Sequence, residues 1–254
     1  MEYRQLTDIE QQQQRQQGCY AQDWSKVLVR EGFSADRVRE VRFSGTVKMG
    51  RFEGAFELPG GITVDAGIYH AMLHNVELGD DVRLYNINNY IANYRIGRGT
   101  CIENINAILV DGETTFGNGV RVAVMNEGGG REIPIFDHLT ASLAYVMTLY
   151  RHRPTLISTL ERMIDEYADR QRSTMGEIGE NVRILNCGTI KNTRIGDCAV
   201  LSGVSRLKNG TVQSNAAAPV KLGSGVKCTD FIICSGVSIG DSTLVDRCFV
   251  GQGC

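Results

Sequence analysis

The sequence predicts a mainly β fold, a parallel β-helix solenoid, on three observations. First, an apolar residue followed by Gly, then usually by an acidic or small polar residue, recurs at seven places. These are Leu78-Gly79-Asp80, Ile96-Gly97-Arg98, Phe116-Gly117-Asn118, Ile178-Gly179-Glu180, Ile195-Gly196-Asp197, Leu222-Gly223-Ser224 and Ile239-Gly240-Asp241. Second, the fourth position after each lead residue is small or β-branched: Val82, Thr100, Val120, Val182, Ala199, Val226 and Thr243. Third, the copies lie 18, 20, 62, 17, 27 and 17 residues apart, so three gaps fall within one residue of three hexapeptides. Internal periodicity of this kind is the signature of stacked units. In such a coil the lead residue and the residue four on point inward and stack on their equivalents, and Gly permits the tight corner.

These seven sites resemble the left-handed parallel β-helix, or hexapeptide-repeat, family. The resemblance implies a scaffold that carries sugar acyltransferases, sugar-linked domains of nucleotidyltransferases and carbonic-anhydrase-like zinc proteins, and the fold alone does not choose among them. A closer resemblance is to long bacterial hexapeptide-repeat proteins classed as a domain of unknown function. It rests on Gln17-Gly18-Cys19, Arg42-Phe43-Ser44-Gly45, Asn89-Tyr90-Ile91-Ala92-Asn93-Tyr94, Gly129-Gly130-Arg131-Glu132, Tyr150-Arg151-His152-Arg153-Pro154 and Ser214-Asn215-Ala216-Ala217-Ala218-Pro219. That resemblance implies a longer protein, continuing into a His-rich region, of which this chain is the N-terminal part. Repeat-like sequence up to Cys254, with no cap after it, leads to the expectation of a longer protein or of another chain that covers this end.

In chain order, four segments are expected. Residues 1–44 form a small helical cap and lead-in: Leu6, Ile9 and the Gln-rich run Gln11–Gln17 suit a helix stopped by Gly18, and Trp24, Val27, Val29, Phe33 and Val38 pack over the end of the solenoid. Residues 45–126 hold the first coils, irregular at first, with a turn at Leu58-Pro59-Gly60-Gly61. Residues 127–175 form an inserted α-helical hairpin. Its first helix carries Leu139, Leu143, Val146, Met147 and Tyr150 with Asp137 as N-cap. Pro154 ends it and starts the second, which carries Ile157, Leu160, Ile164 and Tyr167. Residues 176–254 resume the coils, with a projecting loop of about nine extra residues between Ser205 and Val220.

The totals narrow the function. The chain has 254 residues, 29 Gly and only 4 Pro, enough for one solenoid with embellishments rather than two globular domains. A net charge of −2 supplies no global field for nucleic acid or an anionic membrane. No signal core or membrane-length apolar run occurs, so a cytoplasmic protein is expected. The eight Cys include no Cys-x-x-Cys and read as buried thiols, with Cys228 and Cys234 on inward slots after Leu222.

Two groups of residues carry candidate chemistry. The resemblance to hexapeptide acyltransferases implies a His general base acting on a substrate hydroxyl or amine, between subunits of a homotrimer. Of His70, His74, His138 and His152, His74 is the candidate. It lies two residues past Met72, an inward slot, and so points outward, and histidine is the residue type that changes charge near neutrality. His70 reads as a structural residue on an inward or corner slot. The second group is Glu127, Arg131, Arg151, His152 and Arg153, where Arg and His at helix ends suit phosphate or carboxylate recognition, as in a nucleotide sugar or coenzyme A. The bland alternatives are an ordinary surface His and a solvated helix end. No third His lies at a coil spacing to complete a zinc site, and Gly128-Gly129-Gly130 matches no phosphate-loop motif. Asn86, Asn88, Asn89, Asn93, Asn104 and Asn106 suit left-handed corners. The expected function is a hexapeptide-class transferase moving an acyl group from acyl-CoA, a co-substrate rather than a cofactor, to a sugar or nucleotide sugar. The alternative is a non-catalytic scaffold or sugar-nucleotide-binding β-helix module whose active region lies beyond Cys254.

Overall fold

Side chains alternate across a strand, so a stack of parallel strands in register builds continuous inward columns. The computed structural model describes residues 2–58, 60–125 and 128–254. It is mainly β, with many parallel strands in one 16-stranded sheet. Three columns of apolar residues run through it. One is Leu78, Ile96, Ile178, Ile195, Val212, Ile233 and Val250. A second is Val38, Ile68, Leu84, Ile102, Ile184, Leu201, Leu222 and Ile239. The third is Phe43, Leu73, Ile91, Ile108, Ile190, Leu207, Cys228 and Val245. These columns form the main hydrophobic core.

Corners between strands need positive φ, and short polar side chains supply it. Asn86, Asn93 and Asn104 lie there as expected, Asn88, Asn89 and Asn106 do not, and Asn75, Asn181, Asn186, Asn192 and Asn209 join the first three. Successive corners are tied side chain to side chain: the Asn86 amide donates to Asn104 at 2.7 Å, and Asn104 to Asn186 at 2.9 Å. Inside the core, room is made for rings. A Cβ on Gly210 would strike the Phe231 ring, and one on Gly176 the Tyr94 ring. Tyr94 is fully buried, and its hydroxyl donates to the Thr193 carbonyl at 2.7 Å.

Several sequence expectations are corrected. Six of the apolar-Gly copies stand on inward columns, but on two different ones: Leu78, Ile96, Ile178 and Ile195 on the first, Leu222 and Ile239 on the second. The seventh, Phe116-Gly117-Asn118, is outside the parallel stack. The chain leaves it after Leu109 and returns at Gly176. Phe116 is buried at φ 54°, and Gly117 at φ 85° is pressed against the Asn209 and Phe231 carbonyls. Because Ile195 and Leu222 belong to different columns, the 27-residue gap between them overstated the second interruption. Residues Arg206–Val212 are a regular strand, and the excess lies in a tight turn at 213–219, closed by an Asn215–Ala218 bridge. Thr243, on the last row, is exposed instead of inward.

The lead-in is already part of the stack. Val27–Arg30 pairs in parallel with Val38–Met49, a strand that runs through the expected boundary at residue 44. The end is covered by Tyr3–Gln5, antiparallel to Val27–Arg30, and by helix α1 (Asp8–Gln16). Helix α1 has a Thr7/Glu10 capping box, and Gln14 is buried with its amide donating to the Ala35 carbonyl at 2.7 Å. The irregular early segment is an antiparallel hairpin, Ala55–Leu58 with Ile62–Asp65; Pro59 of its turn lies outside the described residues.

Residues 110–175 hold a short antiparallel pair, Arg121–Ala123 with Glu132–Pro134, then α2 (Ala141–Leu149) and α3 (Pro154–Arg170). The N-cap of α2 is Thr140, whose hydroxyl accepts from the Leu143 N–H, not Asp137. Pro154 opens α3 at its first turn. Val122, Ile133, Ile135, Leu139, Met147 and Ile164 form a second core that packs on Ile232 of the stack. Among the described residues, no helix is long and apolar enough to cross a membrane.

Candidate functional site

His74 is held on both sides. The inward residue of its segment is Leu73, fully buried, while Met72 is 40% exposed, so the expected inward slot is shifted by one residue. The His74 ring lies 3.0 Å from Ser44 Oγ through Nδ1 and 3.0 Å from the Asn75 side-chain nitrogen through Nε2. An amide nitrogen only donates, so Nε2 accepts and Nδ1 carries the proton toward Ser44. Both ring nitrogens are thereby committed, and the Asn75 amide also reaches Asn93 at 3.2 Å. His70 stands at a positive-φ corner, its Nδ1 2.8 Å from Glu40, and is half exposed rather than inward.

The basic group is only partly assembled. Arg151 turns back from the junction of α2 and α3, donates to the Glu132 carbonyl at 2.6 Å and lies 3.5 Å from Glu161. Arg121 shares Glu161 at 3.3 Å. Arg151 thus ties the helices to the strand that follows Arg131. Arg131, His152 and Arg153 are exposed, with the His152 ring against Tyr150 at 5.6 Å. Glu127 lies outside the described residues.

A cavity of about 710 Å³ lies between the start of α2 and the last rows of the stack, bordered by Asp137, His138, Leu139, Gln213, Cys234 and Phe249, among others. Its position follows from packing. The Asp137 N–H donates to Asn118 at 3.0 Å, and Gln213, in the four-residue excess after Val212, donates to the Asp137 carbonyl at 2.7 Å. One carboxylate oxygen of Asp137, Oδ1, is buried without a hydrogen-bond partner among the described residues. The next residue, His138, is exposed. Its ring packs edge-on against Tyr167 at 5.3 Å and Phe136 at 6.4 Å. No described residue hydrogen-bonds to its nitrogens. Cys234 borders this cavity instead of filling the inward column, which Ile233 occupies. Burial, then the charge of Asp137, raises its thiol pKa. Burial also raises the Tyr167 phenol, with Asp137 adding to the effect.

Sequence reasoning passed over His138 because it sits outside the repeats; the signal was an Asp-His pair immediately before an apolar helix. It also missed a buried ion pair, Arg83–Glu103, whose guanidinium packs on the Tyr69 and Tyr85 rings at 5.5 and 5.0 Å and donates to the Asp65 carbonyl at 2.7 Å. This pair fastens the Ala55–Asp65 hairpin to the stack. Burial pushes the Cys101 and Cys187 thiols up to about 11 and Cys228 to about 12, so these three are inert fillers near neutral pH. Among the described residues, no group of three or more His, Cys, Asp and Glu is placed to hold a metal ion.

An uncharacterized protein of Treponema pallidum (strain Nichols) is 29% identical to the chain over 235 residues, covering 88% of the chain. The chain spans about a third of the length of that curated relative, 32% of it. The family model of the domain of unknown function DUF4954 matches residues 3–254. With nearly every residue inside that match, the chain belongs to the DUF4954 family.

Proposed function

We propose that this chain is a left-handed parallel β-helix of the hexapeptide-repeat class, and that it acts in group transfer to a hydroxyl at the α2 cavity. Three inward columns, repeat steps of 17 or 18 residues and positive-φ corners support the fold. The observation that carries the function is the pairing, on one cavity wall, of His138, whose ring nitrogens have no hydrogen-bond partner among the described residues, and Asp137, whose buried Oδ1 likewise has none among them. In this reading His138 takes the proton of the acceptor hydroxyl as its oxygen attacks the thioester carbonyl of an acyl-CoA. The C–S bond breaks, and coenzyme A leaves as the thiol once protonated. A sugar or nucleotide sugar is the acceptor, held by Asp137 and Gln213. A cytoplasmic homotrimer completes the proposal.

His74, with both nitrogens engaged, serves in this reading as a positioning residue of the stack. Its closed geometry also favours a second reading, a non-catalytic β-helix module that only binds its ligand.

The test is a thermal-shift panel with acyl-CoA species, coenzyme A and UDP-, GDP- and dTDP-sugars, followed by turnover measurements on H138Q and H74A. A ligand at 100 times its dissociation constant stabilises a fold by about 2.7 kcal/mol. An acyl-CoA shift with turnover lost in H138Q and kept in H74A is the expected result. Turnover unchanged in H138Q sinks the assignment, and a shift without any turnover favours the binding module.

A further inference from the structure

The outer side of the third column carries an unusual row of charge. Along the strands Thr189–Ile195, Arg206–Val212 and Lys227–Ile233, the inward residues are Ile190, Leu207 and Cys228. Beside them, facing out, Arg206 stands directly next to Lys227, and Lys191 directly next to Lys208. Neighbouring strands are about 4.8 Å apart and residues two apart on a strand about 6.6 Å, so four cations share a small patch. Like charges directly opposite each other destabilise a sheet.

The same stack avoids this elsewhere. Outside the Leu78 column the rows read Lys48, Glu77, Arg95, Glu177, Arg194, with successive ion-pair distances of 3.6, 3.9, 3.5 and 3.7 Å. On the cationic side the nearby carboxylates are engaged. Asp111 takes Lys191 at 2.6 Å, Asp230 accepts from the Asn209 amide at 2.6 Å, and Asp246 pairs with Arg247 at 3.6 Å. Arg206, Lys208 and Lys227 are exposed, and none of them ion-pairs with a described carboxylate.

The patch is short. Ala107 and Leu109 bound it on one side, Leu244 and Asp246 on the other. A polymer would need a longer basic stripe. Lys208 also borders a polar cavity of about 690 Å³ between this face and α3, lined by Thr114, Asn192, Asn209, Asp165 and Asp230 among others.

We propose that Arg206, Lys208 and Lys227 bind the diphosphate of a small phosphorylated ligand, whose polyhydroxylated part enters the adjoining cavity. The Arg fork holds phosphate oxygens in pairs and the lysines act as point charges. The Asn amides and Asp carboxylates suit hydroxyl groups, which both donate and accept. The site is separate from the α2 cavity and does not depend on group transfer there.

Isothermal titration of the chain with pyrophosphate, UDP-glucose and polyuridylate tests it, using R206Q/K227Q, K208Q and, as a control on the alternating face, K48Q. Pyrophosphate and UDP-glucose are expected to bind, UDP-glucose more tightly. Affinity should fall at least tenfold in R206Q/K227Q, and by a smaller factor in K208Q should the double variant fail to fold. K48Q should bind as the parent does. Because a repulsion is removed, the double variant should melt no lower than the parent. Absence of pyrophosphate binding, undiminished binding in the variants, or binding of polyuridylate alone would overturn the site. UDP-glucose binding no tighter than pyrophosphate would overturn the cavity's share in it.

Discussion

Outside the Leu78 column, five charges alternate in sign from Lys48 to Arg194, while outside the Leu73 column Arg206 stands beside Lys227 and Lys191 beside Lys208. Both faces rest on the same aliphatic rows, and both space their side chains by the strand separation. Packing therefore does not explain the difference. The alternating face satisfies itself and then, past Arg194, turns apolar at Ile232 and Phe249, where the helical insertion covers it. The cationic face stays open. A repetitive core leaves the outer positions free, and the packing beneath Arg206, Lys208 and Lys227 does not require a row of like charge there.

The third outer face sets the scale, because its ion pair is buried. Glu103→Ala strands the Arg83 guanidinium and should cost about 3–5 kcal/mol in urea unfolding. An unchanged midpoint would mean that solvent already reaches the pair. Glu177→Lys would place three cations in a row with Arg95 and Arg194. Since Arg95 and Glu177 are half exposed, the loss should stay near or below about 1 kcal/mol and shrink in high salt. Lys227→Glu turns the Arg206–Lys227 repulsion into an attraction and leaves Lys191 beside Lys208; it should gain a few tenths of a kcal/mol, roughly, while abolishing diphosphate binding. A loss of stability there would show that Lys227 has a structural partner.

The smallest effect concerns the covered end. Hydrogen bonds from Arg4 and Thr7 hold the Glu10 carboxyl at about 2, below its ordinary 4.5. A depressed carboxylate stabilises the fold above the unfolded-state value and loses that contribution as pH falls through the folded-state one. The melting difference between the parent and Glu10→Gln should therefore be constant above pH 5 and close between about pH 4.5 and 2. A difference that persisted at pH 2 would place the stabilisation in packing instead.

The rows of the stack were legible because each lead aliphatic and its companion four residues on repeat a local geometric demand. Val82, Thr100, Val182, Ala199 and Val226 are all fully buried. Phe116-Gly117 obeyed the same pattern for another reason, a turn pressed against a neighbouring strand, and no local signal separates the two cases. Which column a repeat belongs to was equally hidden, since Ile195 and Leu222 look alike but stand on different faces. Of the candidate residues, His74 was found by its place in a strand, yet its two partners come from Ser44, on a separate strand, and from the corner residue Asn75. The Arg206–Lys227 contact joins residues 21 apart and depends on the turn at 213–219 for its register. Side-chain chemistry across rows is a property of register, and register is set by the length of every intervening corner.

Ile96 pairs in register with Ile178, and Ile108 with Ile190, as though residues 110–175 had never been there. Thr100 even donates to the Gly179 carbonyl at 2.8 Å across that gap. For the lineage of such a protein this makes the helical segment a cassette. It could be acquired, lost or exchanged by recombination at a single corner, at the entropy of closing a longer loop together with the apolar surface it shares with Ile232 and Phe249. New chemistry could thus be grafted onto an old frame without renegotiating the frame.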